Sequence, residues 1–321
     1  MQVNPVFVGV DVAKATLVIC IHGTATRVKL ANEEAEIERW LETLPANVVV
    51  AMESTGRYHA VLARQVHRSG REAYVLNARD VYFYAKGIGT RSKTDRVDAQ
   101  VIARYVAEHH GALHAWKPGS DAQVALQTLL QRRARLVTHR VAVRQLLRGV
   151  EGLDEPAQDL EEQFERLLEQ IDRQVDTWVA SEPDLARRCR LLRTITGIGL
   201  QSSALLTALL SRIPFANGDA LVAYSGLDPR ANDSGPKNGR RRLSKRGNAD
   251  LRRQLYLAAF SASHSKALGP LYRSLKAKGF KTTEAMVILA RKLLRVVWAV
   301  WKSGKPFDPT RFASPVTCAQ T

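Results

Sequence analysis

The sequence predicts an α/β domain built on a mixed sheet, followed by all-α architecture. Three observations carry that prediction. Short β-branched runs alternate with polar helical stretches over the first 109 residues. Apolar residues then recur at spacings of three and four between Leu126 and Trp178, and beyond them helical runs flank a Gly-Ile-Gly turn. The expected division is 1–118 for the α/β domain, 119–185 for a helical hairpin or short coiled coil, 186–305 for a basic helical domain and 306–321 for a tail.

In the first part, PVFVGVDV (5–12) and ATLVICI (15–21) read as strands, with Asp11 and the following Lys14 closing the first. A third strand covers Thr26–Leu30. A polar helix over Asn32–Leu44, capped by Asn32, precedes the apolar strand NVVVAMES (47–54), which Gly56 breaks. A helix over 57–68, the strand EAYVL (72–76), a Gly-rich basic loop KGIGTRSK (86–93) and a helix over about 95–109 complete it. Strands first in hairpin order and then in βα order argue a mixed sheet covered by helices.

The second part is helical. Residues 126–150 place Leu126, Leu129, Leu136, Val143 and Leu147 on one side, with Arg140, Arg144 and Arg148 along another. Gly149, Gly152 and Pro156 mark a turn, and the partner run is Leu160, Phe164, Leu167, Ile171, Val175 and Trp178. Such a seam is core or an oligomer contact, and a homo-oligomer is expected. In the third part, LLRTITGIGLQSSALLTALL (191–210) matches a helix-hairpin-helix, in which Gly197 and Gly199 let backbone N–H groups approach a phosphate. A helix over about 216–224, a loop over 226–248, a helix over 249–265 and a long helix from Thr283 to Trp301 follow. Asp308, Pro309 and the residues beyond read as a frayed end.

Composition narrows the function. The 321 residues are 45% hydrophobic and 25% charged, the mix of a folded protein. Three scattered cysteines, Cys20, Cys189 and Cys318, suit neither a disulfide framework nor a zinc cluster and point to a reducing cytoplasm. No signal core and no run of apolar residues long enough to span a membrane is present, so secretion and membrane insertion are not expected. The net charge is +17, unevenly spread. Residues 1–118 hold 15 basic and 12 acidic side chains, 119–185 hold 8 and 13, and 186–321 hold 25 and 6. A terminal part that basic points to nucleic-acid phosphate.

The chemistry-bearing candidates are carboxylates. Asp11 and Glu53 each follow a run of valines at a strand end, and Asp95 and Asp98 stand three apart at the head of a helix. Taken alone, Asp95 and Asp98 suit a first helical turn, where acids are common. Four acids gathered at one sheet edge would repel each other unless a cation joined them, and a hard divalent ion such as Mg²⁺ or Mn²⁺ takes oxygen ligands of this kind. Their order along the chain is that of the RNase H/RuvC-like nucleases.

VGVDVAK (8–14), AMESTGRYH (51–59) and KTDRVDAQVIARY (93–105) resemble the N-terminal domain of the DEDD transposases of the insertion-sequence "one-ten" family, together with the Piv-type DNA invertases. The resemblance runs on through TITGIG (194–199), AYSGLDP (223–229) and SGPKNGRRRLSKRGNADLRRQLY (234–256), so it covers nearly the whole chain. It implies an RNase H/RuvC-like sheet domain, a C-terminal helical transposase domain, and a metal site at Asp11, Glu53, Asp95 and Asp98. It also implies a serine nucleophile, which maps to Ser234 in the dipeptide before the basic block; Ser244, Ser225 and Ser202 are its competitors. The implied activity is cutting and rejoining DNA through a phosphoserine link at one composite site, with a structured guide RNA pairing to donor and target DNA.

Local chemistry agrees with that mapping. Lys237, Arg240, Arg241, Arg242, Lys245, Arg246, Arg252 and Arg253 lie within 17 residues, with Asp250 the acid among them. Attack by a serine hydroxyl on a phosphodiester needs cations to hold the developing charge. The same composition also suits a flexible basic loop whose serine only hydrogen-bonds. A metal-only junction resolvase would need the four acids without Ser234, and an architectural nucleic-acid-binding protein would need neither. His59, His109, His110 and His114 lack ligand-like cysteine partners, and Trp298 and Trp301 read as core.

Overall fold

The computed structural model describes residues 4–54, 58–90, 95–230, 239 and 241–312, and for 95, 96, 311 and 312 the backbone alone. The chain divides into two compact units, Met1–Pro118 and Gly119–Thr321.

The first unit is a five-stranded mixed sheet between two helical layers. β1 (Val6–Val12), β2 (Thr16–Ile21) and β3 (Arg27–Ala31) form an antiparallel series. After α1 (Glu34–Glu42), β4 (Val48–Glu53) returns parallel to β1; α2 (His59–Arg68) and β5 (Glu72–Leu76) add a second parallel step. The strand order is β3-β2-β1-β4-β5, consistent with an RNase H-like domain. Period-two burial sorts the valines. Val8, Val10, Val50 and Met52 pack with Ile37 and Leu62 of α1 and α2 on one face. Val49, Ala51 and Tyr74 pack on the other face with α3 (Ala78–Gly87) and α4 (Asp95–His109).

Several details differ from the sequence expectation. Asn32 does not cap α1: its side-chain amide instead donates to the carbonyls of Ala13 (3.0 Å) and Tyr58 (3.2 Å), and Glu33 takes the cap position without a side-chain bond. The loop expected from residue 86 begins later, because α3 runs to Gly87. That helix forms where Asn77 accepts from the Arg79 N–H (2.9 Å) and Val81, Tyr84, Ala85 and Ile88 turn one apolar face to the core. Its aromatic run Tyr82-Phe83-Tyr84 obscures that short period.

The second unit is helical. α5 (Asp121–Leu147) opens on a reciprocal cap between Ser120 and Gln123 and pairs with α6 (Asp154–Ser181). Pro156 sits inside the first turn of α6 rather than in the connection, where its missing N–H costs no hydrogen bond. The base of this hairpin shares a core with α7 (Pro183–Arg193) and α8 (Leu200–Arg212), through Leu126, Val175, Leu185 and Ala204. Arg133 binds Asp172 through two hydrogen bonds, at 2.6 and 2.8 Å, and Gln201 of α8 donates to the same carboxylate at 2.9 Å.

A larger core surrounds α12 (Thr282–Ser303), whose Met286, Leu289, Leu293 and Val297 are buried against α9 (Gly218–Ser225) and α10 (Ala249–Ser263). The span expected as one loop from 226 to 248 contains a small antiparallel ladder, β6 (Pro229–Arg230) with β7 (Arg242–Leu243). α11 (Gly269–Ala277) was not anticipated. Trp298 is part-buried and donates to the Phe215 carbonyl, and Trp301 lies under the Arg188 guanidinium at 4.2 Å. The expected tail starts ordered: Phe307 packs on the core and its N–H donates to Thr194 Oγ1, and a 3-10 turn spans Pro309–Phe312. No helix among the described residues is long and apolar enough to cross a membrane.

Candidate active site and nucleic-acid interface

Strand register places two of the acids. Val10 pairs with Met52 across the parallel β1–β4 ladder, and Asp11 and Glu53 are the next residue on each strand. They therefore occupy adjacent positions at the C-terminal edge of the sheet, on the face opposite Val10 and Met52. That face carries α4. A Cβ built on Gly9 would lie 2.2 Å from the Ala99 carbonyl oxygen and 2.3 Å from the Ala103 nitrogen, so α4 rests on the β1 backbone itself. Further back, the rings of Phe7 and His110 meet at 4.8 Å.

These two contacts set the direction of α4, which runs antiparallel to β1. Stepping from Gly9 to Asp11 covers ~6.6 Å of strand, equivalent to about four residues of helix. Counted back from the Ala99–Ala103 crossing, that reaches the first turn of α4, which carries Asp95 and Asp98. Asp11, Glu53 and Asp98 are all half-buried, and each makes contacts of its own. The Asp95 side chain lies outside the described residues. Among the described residues no group of three or more His, Cys, Asp or Glu side chains is close enough to hold a metal ion.

The serines separate by burial. Ser225 is 0% exposed; its hydroxyl donates to the Val222 carbonyl at 2.7 Å and accepts from the Leu227 N–H at 3.3 Å. Ser202 is buried and accepts from Gln254 at 2.9 Å. Ser244 is 3% exposed, its hydroxyl donating to the Asp228 carboxylate. Ser234, Gly235, Lys237 and Arg240 lie outside the described residues; in sequence they fall between β6 and β7.

The two ends of that connection are tightly clamped. Gly226 takes φ +72°, and a Cβ on it would lie 2.7 Å from the Gly247 nitrogen; one on Gly247 would lie 2.0 Å from the Tyr224 carbonyl. The Lys245 N–H donates to Gly226 at 3.0 Å and the Ser244 N–H to Asp228 at 2.9 Å. Arg252 donates to the carbonyls of Ser225 and Gly247, tying both strands of the neck to α10. Lys245 pays for this crossing with a left-handed φ of +52°. The Asp228–Ser244 and Arg252 contacts escaped the sequence reading, because nothing in the spacing of a basic loop shows which members face inward.

The cations of the basic block divide accordingly. Arg241, Arg242, Lys245 and Arg246 are exposed. Arg252 is half-buried in the neck, and Arg253 donates to the Ala134 carbonyl (3.0 Å) and Thr138 hydroxyl (2.9 Å) of α5. Of the turn glycines, Gly197 takes φ +92° and a Cβ there would lie 2.5 Å from the Ala258 carbonyl, so α10 occupies that side. Gly199 caps α8 with open space around it.

Comparison with known proteins resolves the class. Residues 8–152 match the DEDD family profile described as "Transposase", and residues 189–273 match the profile described as "Transposase IS116/IS110/IS902 family". The chain is similar to a "Pilin gene-inverting protein" of Moraxella bovis, at 28% identity over 94% of this chain and 97% of that one. It is 26% identical to a "Transposase for insertion sequence element IS1328" of Yersinia enterocolitica over 95% of this chain and 99% of the relative. A "Probable family 20 transposase" of Pseudomonas aeruginosa matches at 26% over 94% and 98%. An acid-edged α/β unit in a chain with these matches defines a DNA-recombination enzyme. The chain belongs to the IS116/IS110/IS902 family of transposases. DEDD transposases generally use divalent metal ions.

Proposed function

We propose that this chain cuts and rejoins DNA by transposition or inversion, with Ser234 as nucleophile and Asp11, Glu53, Asp95 and Asp98 as the acids of a RuvC-like site. The observation that carries the reading is the register that sets Asp11 beside Glu53 facing the first turn of α4. Burial of the competing Ser202, Ser225 and Ser244 hydroxyls supports Ser234.

The donor set suits the implied metal. Carboxylate oxygens are hard ligands, matched to Mg²⁺ or Mn²⁺; Asp11, Glu53 and Asp98 do not by themselves stand close enough to hold an ion, so Asp95 or a DNA phosphate would have to draw the set together. Bound there, the ion would polarise a phosphodiester. The chain's own groups do the rest. The serine oxygen bonds to phosphorus as one phosphorus–oxygen bond to the sugar breaks. The serine proton is lost to solvent, and the departing sugar oxygen gains one. An incoming strand's hydroxyl reverses the exchange and frees the serine. Exposed Arg241, Arg242, Lys245 and Arg246 hold the charge of the flanking phosphates.

A structured RNA supplying sequence choice fits the same surface: the basic excess is large and no base-reading zinc finger or RRM signature accompanies it. Leu146, Leu160 and Leu167 of the α5–α6 hairpin stay exposed (77%, 40% and 46%), which supports a homo-oligomer built on that seam. That the relatives are bacterial proteins supports a reaction on DNA in a prokaryotic cytoplasm.

The test is covalent capture. Quenching a reaction with detergent should leave protein attached to labelled DNA for the parent chain and for Ser244→Ala, and none for Ser234→Ala. Nicking without attachment would instead identify a metal-only nuclease.

A further inference from the structure

The helical unit holds a cavity of about 170 Å³ walled by α5, α8, the end of α9 and the start of α10. An engineered void of ~150 Å³ admits benzene, so the space fits one planar ring. Its floor is apolar, with Leu130, Leu205 and Leu251, while Gln131 and Tyr224 stand exposed at the rim. Phe215 braces the Tyr224 ring edge-on at 5.2 Å.

One wall residue is electrostatically unfinished. The Arg212 Nε is buried with no hydrogen-bond partner among the described residues, and Nη1 of the same group donates a long 3.4 Å bond to Gln127 Oε1. Burial draws its pKa below the usual arginine value. The other wall arginine, Arg133, is by contrast fully engaged by Asp172. Asp250 also lines the cavity, and it is exposed. Arg212 is half-buried, and a guanidinium nitrogen shut away from water without a partner favours an anion arriving from outside. Position supplies the anion's identity: Tyr224 and Asn248, which bracket the neck of the 226–247 connection, both line the cavity.

We propose that this cavity seats a single unpaired nucleotide of the DNA strand being processed, its base against Tyr224 and the apolar floor and its phosphate on Arg212. The proposal rests on the DNA-processing reading above and adds a substrate subsite to it. Holding one nucleotide out of the duplex beside the clamped neck would fix the register of the strand entering the serine-bearing connection.

The test measures binding by fluorescence anisotropy. The full chain is titrated onto a DNA hairpin with one bulged thymidine, the same hairpin fully paired, and an RNA hairpin with one bulged uridine. The parent chain should prefer the bulged DNA by about tenfold, the worth of one base stacked on an aromatic ring. Gln127→Glu supplies Arg212 with an internal carboxylate, so that variant should melt no lower than the parent while its bulged-to-paired ratio falls to near one. Tyr224→Ser should lower the ratio as well. A parent that binds paired DNA with no bulge preference overturns the proposal, as does a preference that survives Gln127→Glu. Stronger binding to bulged RNA overturns the assignment to DNA. A parent that binds no DNA at all overturns the functional reading itself.

Discussion

Gly9 of β1 and Ala99 of α4 are in backbone contact: a Cβ on the glycine would sit 2.2 Å from the alanine's carbonyl oxygen. That approach brings the first turn of α4 over the strand end that carries Asp11, so a residue with no side chain sets the height of the acidic edge. Gly9→Ala has nowhere to put its methyl except into the α4 backbone, since Ala103 N is 2.3 Å away as well. We expect a loss of about 2–3 kcal/mol in chemical denaturation, with strand exchange falling as the acids are pushed apart. A variant as stable and active as the parent would show that α4 does not need this contact.

Asp11→Asn keeps the shape of the side chain and removes its charge. Asp11 is half-buried at the strand end, so the fold should survive with little change in melting. Strand exchange measured at saturating divalent ion should drop roughly a thousandfold, the scale of losing a central electrostatic group. Retained exchange would remove Asp11 from the site.

Arg242 and Arg252 are close in sequence and should respond in opposite assays. Arg242 is exposed on β7, so Arg242→Ala should weaken DNA binding and reduce the slope of log affinity against log salt by about 0.9, one phosphate contact. Arg252 holds the carbonyls of Ser225 and Gly247 together. Its replacement by Ala should cost about 1–3 kcal/mol of stability and leave that slope close to the parent's. The reverse pattern would exchange their roles.

Asp172 carries a pH signature. Burial pushes its pKa up, but the hydrogen bonds from Arg133 and Gln201 outweigh that and hold it below the ordinary carboxylate value. A carboxylate lowered in the folded state stabilises above its unfolded pKa, and the contribution is lost as pH falls through the folded value. Asp172→Asn should therefore be less stable by about 1–2 kcal/mol at pH 7, after allowing for solvent screening. The gap should begin to shrink below about pH 4 and close as the pH falls through the lowered folded value, where the parent also loses its charge. Equal urea midpoints for the two proteins at pH 7 would contradict this.

The valine runs before Asp11 and Glu53 were readable because a buried strand must be continuously apolar, and an acid at its end stands out. The direction of α4 was not, since a glycine in a strand does not say which helix will cross it. α3 escaped because Val81, Tyr84, Ala85 and Ile88 make barely two turns of period inside an aromatic run. Among the serines, sequence favoured Ser234 with Ser244, Ser225 and Ser202 as competitors; packing buries those three hydroxyls and gives each a hydrogen-bond partner, which no local pattern shows.

By itself, the sequence determined the class of each part, the order of the acids and the concentration of positive charge near the C-terminus. Those properties follow from local composition and period. The tertiary structure alone decided which glycines are close approaches, that Arg252 ties the neck together, and that the Arg212 Nε is buried without a hydrogen-bond partner among the described residues. Each depends on backbone segments distant in sequence meeting at a few ångströms, and no local pattern encodes that distance.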